Sequence, residues 1–141
     1  MFSATVKSLL FILFIDFASS QPTLQFNPFD WVSYRKTGAI NSITFGDRYA
    51  YIGTQTGGVL RFNINSQRFE APITRSQGLD GNTVTAVHYS SSGMLWVSTL
   101  ESLQYSLTTE GDWRIINLTS IGIPNRAYIN RIGDDGKDIW I

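Results

Sequence analysis

The feature that most limits what this chain can fold into is a repeat. Three segments of the 141-residue sequence superimpose: Ile40-Asn41-Ser42-Ile43 leading to Tyr51-Ile52-Gly53-Thr54, Val84-Thr85-Ala86-Val87 leading to Trp96-Val97-Ser98-Thr99, and Ile129-Asn130-Arg131-Ile132 leading to Ile139-Trp140-Ile141. Their starts lie 44 and 45 residues apart, and the aromatic follows the first aliphatic by 11 or 12 positions in each. A fixed period of this length means that one supersecondary unit recurs, each copy burying an apolar face on the next.

Within a copy, β-branched and aromatic residues cluster between turn formers, the pattern of short antiparallel strands. Gly46-Asp47, Ser90 to Gly93 and Gly133 to Gly136 occupy one equivalent connection and read as hairpin tips. Third strands follow at Gly58 to Phe62 and Ser102 to Tyr105, and fourth strands begin near Arg68 and near Asp112. Four strands per repeat with no helical period beyond residue 20 predict an all-β chain of four-stranded antiparallel sheets, the blades of a β-propeller. The expected blades are 38–82 and 83–127, with a third beginning at 128–141, an incomplete propeller of about two and a half blades. Asp30-Trp31-Val32-Ser33-Tyr34 matches Asp112 to Ile116, so 30–37 reads as an outer strand that closes a last blade. Propellers close with roughly four to eight blades. The expectation is therefore an N-terminal piece of a longer polypeptide, whose remaining blades are its first partners.

Lys7 precedes an apolar stretch from Ser8 to Ala18, and small residues at Ala18 and Ser20 stand before Gln21-Pro22. That order predicts a signal peptide over 1–20, with 21–29 as a linker. The apolar stretch is roughly half of the ~20 residues a membrane span needs, so export to the periplasm, outside or cell surface is expected. With 11 basic and 11 acidic residues and no like-charge run, nothing resembles the basic stripe that nucleic acid requires. Zero cysteines exclude disulfides, thiolate zinc sites and thiol nucleophiles.

No catalytic, cofactor or metal site is expected. His88 is the only histidine and reads as structural. Asp134, Asp135 and Asp138 lack the spacing of a calcium loop and read as a hairpin tip. Ser90 to Ser92 has no nucleophile elbow around it. Asn117-Leu118-Thr119 matches a glycosylation acceptor. The repeat-locked positions Trp31, Tyr51, Gly53, Thr54, Trp96, Ser98, Thr99, Trp113 and Trp140 read as structural, with the aromatics filling the space between stacked sheets.

Gly78-Leu79-Asp80-Gly81-Asn82-Thr83-Val84, Ala86-Val87, Ser92-Gly93 and Leu95 to Thr99 together resemble the two-component regulator propeller repeat. The third copy carries it as Gly122-Ile123-Pro124-Asn125, Asp135-Gly136 and Ile139-Trp140-Ile141; the first keeps Gly53-Thr54, Gly57-Gly58 and Phe62. Asp80-Gly81 stands where the pattern has Pro-Ser, and Glu101-Ser102 where it has Gly-Gly. The resemblance implies a non-catalytic sensing or binding propeller like the periplasmic part of sensor kinases, with a carbohydrate among the candidate ligands. The alternatives are a polysaccharide-active enzyme with catalytic residues beyond residue 141, and a structural surface protein.

Overall fold

The computed structural model describes residues 37–109 and 111–141. The repeat folds as two four-stranded antiparallel meanders. The first runs β1 (Ile40–Phe45), β2 (Tyr49–Thr54), β3 (Val59–Asn63), β4 (Arg68–Ile73); the second runs β5 (Val84–Tyr89), β6 (Leu95–Thr99), β7 (Ser102–Ser106), β8 (Arg114–Asn117). A hairpin of β9 (Gly133–Asp134) and β10 (Ile139–Trp140) follows.

The two meanders share their local devices. The first strand of each carries a bulge at the same place, between Ile40 and Ser42 and between Val84 and Ala86, which adds a residue and twists the strand. The second strand ends on a threonine that caps the next turn. Thr54 Oγ1 donates to Gly58 O (2.8 Å) and accepts from Gly57 N (3.0 Å), while Thr99 Oγ1 accepts from Glu101 N and Ser102 N, each at 3.1 Å. Each sheet then exits through a short 3₁₀ turn, Arg75–Gln77 or Leu118–Ile121, that stops on a left-handed glycine, Gly78 (φ 99°) or Gly122 (φ 81°). A side-chain oxygen at the N-cap, from Thr74 or Asn117, starts each turn.

The core lies between the sheets. Tyr49, Tyr51, Val59 and Ile73 of the first sheet close on Val84, Val87, Leu95 and Val97 of the second, with Leu79 of the inter-sheet linker 74–83 among them. Ala86, Trp96 and Leu103 on the opposite face of the second sheet, with Leu118, close on Ile129 and Ile132. Each of the Val, Leu and Ile side chains among them contributes about 1.5–3 kcal/mol on burial. Gly53 is required by this packing, since a Cβ there would stand 2.8 Å from Val84 Cγ1. The edge of β5 is satisfied from the first sheet: Val87 N donates to Ser42 Oγ (2.7 Å), Tyr89 N to Thr44 Oγ1 (3.0 Å), and Asn41 Nδ2 to Val84 O (2.7 Å).

The third copy departs from expectation. Ile129 to Ile132 is not a strand; the ladder with β10 spans only Gly133–Trp140 and Asp134–Ile139. Ile129 and Ile132 are held instead by burial against the second sheet. The expected signal segment, the linker and nearly all of the strand proposed for 30–37 lie outside the described residues.

Candidate functional site

Tyr51 is buried in the first interface and stacks on Tyr89 at 5.9 Å between centroids, while Trp96 is buried in the second and stacks on Tyr105 at 4.7 Å. Burial raises the pKa of both Tyr51 and Tyr89, and the Asp47 charge adds to the rise at Tyr89. Gly53, Thr54, Ser98 and Thr99 are all buried at the ends of β2 and β6. Trp113 is partly buried against the first core, its ring over Gly78. Trp31 lies outside the described residues. Trp140, expected to fill a gap between sheets, is exposed. The stack that covers Trp96 comes from β7, and the β9–β10 hairpin has no third strand among the described residues.

Two polar clefts accompany the interfaces. One, of about 420 Å³, opens where the linker meets the β6–β7 turn and is lined by Arg75, Asp80, Asn82, Thr83, Thr99 and Glu101. Its floor is a network that the sequence did not reveal. Asp80 Oδ1 accepts from Thr99 Oγ1 (2.8 Å), Asp80 Oδ2 accepts from Ser102 Oγ, and Asp80 N donates to Gln104 Oε1 (3.2 Å). Asp80 and Ser102 are both departures from the repeat pattern, and the two residues bond each other. The signal was available in the paired departures.

The other cleft, of about 400 Å³, runs along the first strands and is lined chiefly by Asn41, Ser42, Thr44, His88, Asn130 and Arg131. His88 projects from β5 toward the third copy, where its Nε2 meets Asp134 Oδ2 at 2.7 Å. Asp134 also accepts from Ser91 N (3.0 Å), Ser91 Oγ (2.9 Å) and Gly136 N (2.8 Å). The bond to His88, then those from Ser91, hold its carboxyl well below the usual carboxylate range. Next to it, the amides of Asp138 and Lys137 lower Asp135 by closing the hairpin tip over its side chain.

Ser91, His88 and Asp134 are the residue types of a nucleophilic triad in the wrong order. A triad places histidine between the other two, so that the imidazole takes the serine proton. Here the carboxylate sits in the middle and accepts from the serine hydroxyl, which leaves that serine without a base. The arrangement fastens the β5–β6 tip to the third hairpin. No group of three His, Cys, Asp or Glu side chains that could hold a metal occurs among the described residues. Both clefts offer hydrogen bonds and charge: the segment before β9 presents Asn130 and Arg131, both exposed, to the second cleft.

No family model matches the chain, and no curated protein matches it in sequence. Two crystal structures of an extracellular domain of BT4673 from B. thetaiotaomicron are similar to it, one described as a one component system and the other as a hybrid two component system. Each is 17% identical with a TM-score of 0.48, and the match covers 54% of this chain and 10% of that one. The match thus spans about a tenth of the length of those structures. No helix among the described residues is long and apolar enough to cross a membrane.

Proposed function

We propose that the chain belongs to an exported, non-catalytic β-propeller that binds a ligand in a sensing role, of the two-component regulator type its repeat resembles. One observation carries this reading: two consecutive sheets repeat the same bulge, threonine-capped turn and glycine-stopped linker, and they stack with their first strands side by side. Stacking of that kind brings first strands and linker ends from several repeats to one place, where a ligand touches many of them. The polar lining by Asn41, Asn130 and Arg131 suits a polyhydroxylated or anionic ligand, and carbohydrate fragments satisfy both descriptions.

The test is isothermal titration calorimetry of the exported protein with soluble polysaccharide fragments, neutral and acidic, followed by chromatography of the recovered oligosaccharide. Binding that weakens at least tenfold in Arg131→Ala, with the oligosaccharide recovered intact, is the expected result. Shortened oligosaccharide would instead favour the enzyme reading. No heat with any fragment sinks the carbohydrate proposal.

A further inference from the structure

The joint between repeats is made twice, but its edge bonds are made once. In the first joint, side chains of β1 serve the edge of β5: Asn41 Nδ2 donates to Val84 O, Ser42 Oγ accepts from Val87 N, and Thr44 Oγ1 accepts from Tyr89 N. For the second joint the repeat places Thr85, Ala86 and His88 at those positions. None of them repeats the bond. Thr85 turns its hydroxyl to Ser98 O (3.3 Å), and His88 reaches the Asp134 carboxylate instead of a backbone N–H. Ala86 has no polar side-chain atom, so the N–H of Ile132, the counterpart of Val87 N, has no partner among the described residues. An N–H at this position points out of its own sheet, as Val87 N does, so its partner has to come from the preceding repeat or from a ligand. Ile132 is only 8% exposed, and leaving a buried donor unmet is costly.

This gap lies on the second cleft, whose lining includes Ala86 and Ile132 together with Ser42, Thr44 and Arg131. The lining is rich in donors. Ser42 and Thr44 accept through their oxygens and keep their hydroxyl protons for a further partner. Arg131 is exposed and has no ion pair among the described residues. Asp134, bonded to His88 at the cleft, offers no competing acceptor, because each of its oxygens already takes two bonds, from His88, Ser91 and Gly136. Donors without acceptors suit an anion with two oxygens.

We infer that the second joint is a carboxylate subsite, in which the carboxylate of an acidic sugar takes the place that the Ser42 hydroxyl fills in the first joint. It accepts from Ile132 N, and Arg131 balances its charge. The inference rests on the reading of the chain as a ligand-binding propeller and narrows the ligand to uronate-containing fragments.

Amide hydrogen exchange and isothermal titration calorimetry of the full chain test it, with trigalacturonic acid and its methyl ester as probes that share a skeleton and differ in charge. In the free protein the Ile132 amide is expected to exchange faster than the Val87 amide, and to slow when the acid is added. The acid is expected to bind about tenfold or more tightly than the ester, as one charge-assisted hydrogen bond implies. Ala86→Ser gives the second joint the hydroxyl of the first. It should protect the Ile132 amide without ligand, keep or raise the urea midpoint, and weaken the acid by a similar factor. Should Ala86→Ser fold poorly, Arg131→Gln at an exposed position decides, since it should bring acid and ester toward equal affinity. An Ile132 amide already protected in the free protein, equal affinity of wild type for acid and ester, or a well-folded Ala86→Ser that binds the acid as wild type does overturns the inference. Equal affinity leaves the binding reading standing, whereas no heat with either probe or with neutral fragments removes both.

Discussion

At the scale of single residues, the chain trades one turn chemistry for another. Gly58 in the first sheet sits at φ 73°, where a Cβ would lie 2.2 Å from Ile73 O. Gly58→Ala combines a left-handed backbone with a backbone clash, and is expected to cost about 1–3 kcal/mol or more in urea denaturation. Ser102, at the same repeat position, tolerates a side chain and uses it to bond Asp80. Asp80→Ala removes two hydroxyl bonds to a carboxylate, with an expected loss of about 2–3 kcal/mol. In a double-mutant cycle with Ser102→Gly the two costs should sum to more than the double variant loses; strict additivity would mean that the pair does not act together. Asp134 contributes to the acid dependence, alongside Asp135 and Glu70. Its folded-state pKa is depressed by His88 and Ser91, so its stabilisation is present above the ordinary carboxylate range and is lost as pH falls through and below it. Asp134→Asn is therefore expected to flatten the pH dependence of unfolding on the acid side, measured by urea titration between about pH 2 and pH 6.

At the scale of elements, the two sheets are held by a seam as well as by a core. Val87 is buried, and its N–H finds its partner in the hydroxyl of Ser42, 45 positions earlier. Ser42→Ala leaves that donor without a partner and is expected to cost about 1–3 kcal/mol. Thr44→Val, which keeps shape and removes the acceptor for Tyr89 N, should show a cost of the same sign. Leu95 is fully buried where the two sheets meet, and Leu95→Ala is expected to lose about 2–5 kcal/mol by opening a cavity. A loss below 1 kcal/mol would mean that the sheets are not packed on each other there. The hairpin tips of these elements were legible from the repeat, because they depend on residue types at fixed offsets; the bulges and the threonine caps were not read from it. The seam was not, because Ser42 and Thr44 read as ordinary solvent-facing strand residues until β5 is placed beside them.

For the molecule as a whole, the first core draws side chains from both sheets, so the two should unfold together. Tyrosine absorbance from Tyr49 and Tyr51 and near-UV circular dichroism from Trp96 are expected to give coincident transitions; separated midpoints would show the sheets to be independent. The export reading is checked by N-terminal sequencing of the secreted product, with Gln21 expected as its first residue. The sequence by itself determined the class, the strand count of each sheet, the turn positions and the period, because all of these follow from local residue chemistry recurring every 44 or 45 residues. It did not determine which repeat positions are covered. Trp96 and Trp140 have the same local sequence signature, yet one is buried under Tyr105 and the other faces outward. Burial is a property of the neighbour rather than of the residue, and so are the Ser42 seam and the His88–Asp134 contact, each of which joins residues of different repeats that only the stacking of those repeats brings within bonding distance.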